Sequence, residues 1–153
     1  MNKILIRKAT NGDINYLAKL LYELFKLEKD FIADIDKQIK GLSMLINNPV
    51  STVLLAEDAN SKEIVGMCTM QILVSTAQGS NSGHIEDVIV KTERRGEGIG
   101  NLLLKTILDI AKQNGCTRLQ LSADNDNTPA HNFYKKIGWN QTNLSVWFYK
   151  IEN

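Results

Sequence analysis

Apolar positions recur at steps of three and four residues in four stretches of the chain and alternate or run together in six others. The first pattern is typical of helices that bury one face, and the second of strands. Helices are predicted at 14–25, 34–48, 99–111 and 127–138. Strands are predicted at 3–8, 52–58, 64–76, 85–90 and 117–122, with one or two closing strands within 139–151.

The order of these elements is β-α-α-β-β-β-α-β-α-β, which places the chain in the α/β (α+β) class. A chain of 153 residues has the length of one domain with one hydrophobic core, so we expect a single domain over 1–153. Thr10 and Asp13 stand at capping-box spacing before the first helix.

Charge excludes some classes of partner. The chain has 18 basic and 17 acidic residues, so it lacks the general positive field that draws proteins to nucleic acid or anionic membranes. Its apolar runs are too short for a signal sequence or a membrane span, and its cysteines lack metal-ligand spacing. We therefore expect a cytoplasmic protein that binds no nucleic acid, no membrane and no metal.

Three alternating glycines stand between the predicted strand 85–90 and the helix that follows. A helix begins with unpaired N–H groups and a positive dipole end, so it binds anions. Gly96, Gly98 and Gly100 would let a phosphate approach those amides. Lys91, Arg94 and Arg95 are expected to add positive charge at the same place. The simpler interpretation is a flexible turn, which the placement before an apolar helix disfavours.

The spacing of these glycines excludes two common classes of phosphate-binding loop. A P-loop requires Gly-Lys-Ser/Thr, and a dinucleotide fingerprint requires G-x-G-x-x-G, neither of which occurs here. The stretch Arg95-Gly96-Glu97-Gly98-Ile99-Gly100 instead resembles the pyrophosphate loop of the GNAT superfamily of N-acetyltransferases, which holds the diphosphate of acetyl-CoA.

A second motif lies downstream in the expected order. Asn127-Thr-Pro-Ala130-His-Asn-Phe133-Tyr134-Lys-Lys-Ile-Gly138-Trp139 is similar to the second GNAT signature, N-x-x-A-x-x-F-Y-x-x-x-G followed by an aromatic residue. With both motifs the resemblance covers essentially the whole chain. It implies a mixed, mostly antiparallel central sheet flanked by helices.

The resemblance also implies roles for residues at the matching positions. Arg95–Gly100 would hold the pyrophosphate of acetyl-CoA, and Asn127 would contact the same cofactor. The backbone of Val88, Ile89 and Val90 would pair with the pantetheine arm, and its N–H groups would stabilise the oxyanion. Tyr134 would lie beside the CoA sulfur and act as the acid.

An amine must lose a proton to attack a thioester, so a base is also expected. Glu86 and Asp87 are neighbours on a predicted strand, so their side chains point to opposite faces. His84-Ile-Glu-Asp-Val resembles the same stretch of glucosamine-phosphate N-acetyltransferases, where the acidic pair lies at the acceptor. We assign Glu86 as the base or a water-positioning group, and both acids to acceptor binding. His84 shares the face of Glu86 and is an alternative base; a structural histidine is the simpler interpretation.

The link between the first two helices carries four acids and one lysine around Phe31. In the GNAT fold this connection passes over the acceptor site, so the link would attract a cationic amine and Phe31 would contact it. A solvated link rich in helix caps explains the same composition.

The sequence thus predicts an enzyme: an N-acetyltransferase that moves an acetyl group from acetyl-CoA to a primary amine by direct attack. The acceptor is a small molecule or a protein amine, and a homodimer is possible. The alternative is a non-catalytic, acyl-CoA-binding regulatory module, and a weaker one is a nucleotide-binding protein of unrelated fold.

Overall fold

A computed structural model describes residues 3–152 of the chain. Its strands are β1 (Ile4–Lys8), β2 (Ser51–Asp58), β3 (Ile64–Ser75), β4 (Ser80–Val90) and β5 (Cys116–Leu121). Its α-helices are α1 (Ile14–Leu27), α2 (Ile35–Ile46), α3 (Ile99–Gln113) and α4 (Thr128–Lys136). Short 3-10 turns precede α1 at Asn11–Asp13 and follow β4 at Thr92–Arg94.

The five strands form one sheet in the order β1-β2-β3-β4-β5. The first three pairings are antiparallel, and β4 pairs with β5 in parallel. Parallel neighbours need a crossover connection, which α3 supplies. The predicted fold class, a mixed and mostly antiparallel sheet flanked by helices, is confirmed.

Helices cover both faces of this sheet because its strands are apolar on both sides. Leu17 of α1 and Leu42 of α2 pack with Leu55 and Met67 in one buried cluster. The next residue along β3, Cys68, points the other way, and its sulfur lies 4.0 Å from the carbonyl oxygen of Leu103 in α3. Successive side chains of a strand alternate between faces, so α3 lies opposite α1 and α2.

The strand that leads to the glycines is longer than predicted. Residues 78–83 are small or polar and lie outside the predicted strand 85–90, yet β4 begins at Ser80 and pairs with β3 from Ser80 onward. A Cβ atom at Gly83 would overlap Leu119 and Met70. The small residues therefore allow close packing within the sheet, which periodicity does not reveal.

The predicted closing strands are absent from the described residues. Beyond α4, residues 139–152 carry no strand. Trp147, Phe148 and Tyr149 are 91%, 81% and 90% exposed. Aromatic and branched residues favour extended backbone, but a strand exists only where a neighbour completes its hydrogen bonds. The prediction of one or two strands here is wrong for this reason.

The described chain forms two compact units, the first ending at Leu121 and the second beginning at Ser122. The sheet and the first three α-helices belong to the first unit, and α4 belongs to the second. A single domain over 1–153 stays a prediction. Among the described residues, no helix has the length and apolar character needed to span a bilayer.

A network of ion pairs attaches the start of α1 to the sheet. Arg7 donates two hydrogen bonds of 2.9 Å to the carboxylate of Asp13, and its Nε and Nη2 also donate to Glu57 of β2. Asp13 accepts two more from the N–H and hydroxyl of Thr10. The predicted pairing of Thr10 with Asp13 is present. Mainly through the hydrogen bonds from Arg7, the pKa of Asp13 is lowered from 3.8 to about 2.

We predict that Asp13→Asn lowers the free energy of unfolding by about 1–2 kcal/mol at neutral pH. A carboxyl whose pKa is depressed in the folded state stabilises the fold above its ordinary pKa and loses that contribution as the pH falls through about 2. Urea unfolding of both proteins between about pH 7 and pH 2 measures the difference. It should shrink toward acid.

Asp109→Asn, on the exposed side of α3, is the control and should change stability little at any pH. A penalty for Asp13→Asn that stays constant down to pH 2 would contradict the electrostatic explanation.

Candidate active site

The glycine loop has the predicted position between strand and helix. β4 ends at Val90, the turn Thr92–Arg94 follows, and α3 begins at Ile99 with Gly98 as its N-cap. Gly96 and Gly98 have φ angles of +83° and +80°, which residues with a side chain rarely adopt. A Cβ atom at either position would meet nothing within 4 Å. These glycines are required by the backbone conformation, and the space beside them is open.

The backbone N–H groups of this loop are available to an anion. Among the described residues, those of Gly96, Glu97 and Gly98 donate to no carbonyl, and the first bond of the following helix runs from the N–H of Leu102 to Gly98. The first turn of α3 has no acidic residue. The positive end of its dipole is therefore not neutralised from within its own first turn.

The cations near the loop differ in their availability. Arg95 is exposed, and its Nε donates to the carbonyl oxygen of Val90 at 3.2 Å. Arg94, by contrast, forms ion pairs with Asp58 and Glu97. Lys91 pairs with Glu63. The expectation that all three cations surround the loop needs correction, because Arg94 and Lys91 are engaged by carboxylates and only Arg95 is paired with a neutral group.

The second half of β4 has a strand neighbour on one side only. Val88, Ile89 and Val90 pair with β3. The pairing with β5 stops at Ile85, opposite Leu121. From Glu86 to Val90, no strand among the described residues of the first unit completes the hydrogen bonds of the other edge. Such an edge can pair with an extended ligand that carries amide groups.

Asp87 is a buried carboxylic acid on this half of β4. Its side chain is 6% exposed, and its Oδ2 accepts a hydrogen bond of 2.9 Å from the hydroxyl of Thr69. The same hydroxyl oxygen accepts one from the N–H of Asp87. Burial raises the pKa of Asp87 from 3.8 to about 6; the charge of Glu86 acts in the same direction and the bond from Thr69 opposes it. Proton exchange near neutrality is therefore accessible to this group.

Glu86 has the opposite environment. Its side chain is exposed, and its Oε2 lies 3.0 Å from Nε2 of His84. The alternation of side chains along the strand predicts both features: His84 and Glu86 share a face, and Asp87 points away from them. Glu86 is thus a solvated carboxylate in contact with an imidazole.

An open groove of about 890 Å³ lies between α1 and the end of β4. Its lining includes Tyr16 and Lys19 of the helix and Val90 and Arg95 beside the loop. A small molecule held at the loop therefore has room on this side of the strand.

In the second unit, Asn127 is the N-cap of α4, and its side-chain oxygen accepts a hydrogen bond of 3.2 Å from the N–H of Ala130. Tyr134 is partly buried on the same helix. Its ring centroid lies 5.3 Å from that of Phe133 and 5.9 Å from that of Trp139. Tyr134 is thus held by neighbouring aromatic rings.

The link between α1 and α2 is partly structural. Asp34 caps α2 by accepting hydrogen bonds from the N–H groups of Asp36 and Lys37. The ring of Phe31 lies 5.3 Å from that of Phe25, and the residue is 55% exposed. One predicted acid of the link therefore has a capping role, while Phe31 is anchored and still accessible.

Two residues with consequences for the site are absent from the sequence predictions. Thr69 orients Asp87, and Asp58 holds Arg94. Each partner lies 18 or more positions away in the chain. The polar Thr69 among the apolar residues of β3 is a weak signal, but pairing requires the register of β3 with β4.

Comparison with known proteins gives the same assignment. The model of the acetyltransferase (GNAT) family matches residues 17–139. Thialysine N-epsilon-acetyltransferase from Sus scrofa is 30% identical over 147 residues, covering 90% of this chain and 85% of that protein. Aminoalkylphosphonate N-acetyltransferase from Salmonella typhimurium is 29% identical, covering 91% and 86%.

Solved structures share the fold. A protein described as a transcriptional regulator from Bacillus halodurans superposes with a TM-score of 0.83 at 26% identity, over 97% of this chain and all of that one. An aminoglycoside N-acetyltransferase in complex with CoA has a TM-score of 0.84 at 14% identity, over 98% and 96%. The chain belongs to the GNAT family of acetyltransferases and is an N-acetyltransferase.

Proposed function

We propose that this protein transfers an acetyl group from acetyl-CoA to the primary amine of a small molecule by direct attack, without a covalent enzyme intermediate. The observation that carries the proposal is the continuous backbone surface formed by the open edge of β4, from Glu86 to Val90, and the glycine loop that follows it. One end of this surface suits amides, and the other suits an anion.

Acetyl-CoA fits this surface part by part. The free N–H groups of Gly96–Gly98 and the first turn of α3, including Ile99 and Gly100, would bind its pyrophosphate, with Arg95 adding charge. The backbone at Val88, Ile89 and Val90 would pair with the pantetheine amides. Asn127 would contribute its side-chain amide as a further contact. Open space beside Gly96 and Gly98 supports this fit, since a phosphate can approach the amides directly.

Different groups of the protein would assist the separate steps of aminolysis. Acetyl-CoA supplies an acetyl group activated as a thioester. Glu86 removes the proton of the amine, directly or through water, because alkyl ammonium groups have a pKa of about 10.4. Backbone N–H groups on the open edge stabilise the charge that develops on the carbonyl oxygen. By the resemblance of the Asn127–Trp139 motif to the second GNAT signature, Tyr134 would donate a proton to the departing thiolate.

The acceptor is inferred to be a small amine that carries positive charge. Two relatives that align along most of this chain are named for thialysine and for aminoalkylphosphonates, and both kinds of molecule carry an amine on a short chain. Glu86 and Asp87 both belong to the part of β4 with the open edge, and the carboxylate of Glu86 is the exposed one that a cationic amine can reach. Phe31 offers an exposed ring at the preceding link, which can pack against a cation or its methylene groups.

The test is calorimetric titration with acetyl-CoA, followed by an assay of thiol release with a panel of amines: thialysine, lysine, aminoalkylphosphonates, a polyamine and a ribosomal protein N-terminal peptide. We expect binding, and release with one of the short-chain amines. Gly98→Trp should abolish binding because it fills the loop. Gly79→Trp, at another exposed glycine of positive φ, should leave it unchanged.

Binding without release from any amine would favour the regulatory module over the enzyme. Equal binding by the Gly98→Trp and Gly79→Trp variants would refute the loop assignment, and no binding by the unmodified protein would refute the proposal as a whole.

Tyr134→Phe is predicted to lower kcat by about 100-fold, because it removes the proton donor and keeps the ring. The KM for acetyl-CoA should change less than about twofold. Steady-state kinetics on the identified acceptor measure both. Tyr149→Phe, at a residue 90% exposed in the same unit, is the matched control. Unchanged turnover in Tyr134→Phe would exclude Tyr134 as the acid.

Asp87→Asn is predicted to raise the free energy of unfolding by about 1–3 kcal/mol at about pH 8. The pKa of Asp87 is higher in the fold than its ordinary value of 3.8, so the native protein loses stability as the pH rises from about 4 to about 6. Below about pH 4 the carboxyl is protonated in both states. The two proteins should then be nearly equal.

Urea unfolding at about pH 4 and pH 8 measures this difference. Asp109→Asn, at an exposed acid of α3, is the control and should change stability little at either pH value. If Asp87→Asn changes stability equally at both pH values, the buried carboxyl does not titrate as proposed.

A further inference from the structure

Arg94 connects the glycine loop to the turn between β2 and β3. Its Nε and Nη2 donate to the two carboxylate oxygens of Glu97 at 2.8 and 2.9 Å. Its Nη1 lies 3.2 Å from Oδ2 of Asp58. The side chains of Arg94 and Asp58 are 13% and 4% exposed. Two partly enclosed ion pairs thus join segments that are 36 positions apart in the chain.

Asp58 is itself fixed by the turn. Its Oδ1 accepts hydrogen bonds from the N–H groups of Asn60 and Ser61 at 2.9 and 3.2 Å. These bonds, and then Arg94, lower the pKa of Asp58. The pKa of Glu97 is lowered chiefly by its hydrogen bonds from Arg94. Both carboxylates remain charged at neutral pH, so the connection is present under ordinary conditions.

The loop needs such a connection because of its composition. Glu97 stands between Gly96 and Gly98, which both adopt positive φ with open space on every side of a would-be Cβ. Glycine populates many backbone conformations, so packing at these two positions does not select one of them. The hydrogen-bonded side chain of Glu97, which lies between them, does select one conformation.

We propose that Asp58 and Arg94 are positioning residues for acetyl-CoA: through Glu97 they hold the backbone N–H groups of Gly96–Gly98 in the conformation that binds pyrophosphate. This inference rests on the proposed function. Neither residue contacts the cofactor. Their effect is on the fraction of molecules whose loop is competent to bind.

Asp58→Asn is the discriminating variant. It removes a negative charge near an anion site, so general electrostatics predicts tighter binding of CoA. The positioning role predicts weaker binding, because an apparent Kd rises as the competent fraction falls. We expect the Kd for CoA to rise about tenfold, with kcat at saturating acetyl-CoA unchanged. The Asn side chain keeps the oxygen that caps the turn.

Glu63→Gln is the matched control. Glu63 is an exposed acid just before β3, and its ion pair with Lys91 does not reach the glycines. Glu63→Gln removes the same charge from the same hairpin as Asp58→Asn does. It should leave the Kd for CoA within about twofold of the value for the unmodified protein. Arg94→Met is the second variant, and it should raise the Kd for CoA as much as Asp58→Asn does. The double mutant should raise the Kd no further, because both substitutions break the same connection.

Calorimetry with CoA and NMR order parameters of the Gly96–Gly98 backbone amides are measured on all variants. A raised Kd with lower order parameters in Asp58→Asn and Arg94→Met, but not in Glu63→Gln, supports the inference. Unchanged or tighter binding by Asp58→Asn overturns it. If the unmodified protein binds no CoA, the proposed function fails; the order parameters then decide separately, because unchanged values in both variants also refute the positioning role.

Discussion

The backbone hydrogen bonding of β4 is the constraint on which the rest of the site depends. β3 accompanies this strand along nearly its whole length, whereas β5 accompanies it only as far as Ile85. Buried peptide groups require partners, so an edge left open beside a sheet is a place for a ligand that supplies them. The same strand continues into the glycine loop, and one segment of about fifteen residues thereby offers both peptide-pairing and anion-binding groups.

Most of the basic side chains near the groove and the glycine loop form ion pairs within the protein. Arg7 is engaged by Asp13 and Glu57, Arg94 by Asp58 and Glu97, and Lys91 by Glu63. In the proposed site, the attraction for phosphate would therefore depend on oriented N–H groups and the α3 dipole more than on the number of basic side chains. Preorganised dipoles need little rearrangement on binding, so a chain with nearly balanced charge can in this way offer a site for an anionic cofactor.

Local patterns predicted the fold well where local rules govern it. The helical stripes, the Thr10–Asp13 pairing, the glycine loop before α3 and the division of Glu86 and Asp87 between two faces all follow from spacing. The extra length of β4 did not, because Gly83 is selected by contact with Leu119 and Met70. The predicted strands within 139–151 were wrong because composition indicates a tendency to extend and says nothing of a neighbour.

The sequence did not predict the partners of Asp87 and Arg94 either. The pairing of β3 with β4 brings Thr69 to Asp87, and the end of β2 brings Asp58 to the turn that carries Arg94. Yet these partners define the surroundings of both side chains. Glu86 and Asp87 are adjacent and chemically similar, and the pleat of one strand sends the first into solvent beside His84 and the second into the interior beside Thr69. Burial raises the pKa of Asp87 to about 6. Acids in unlike environments are suited to different roles, so the two positions are not interchangeable: the carboxylate at 86 is in contact with solvent, whereas the carboxyl group at 87 is buried and bonded to Thr69.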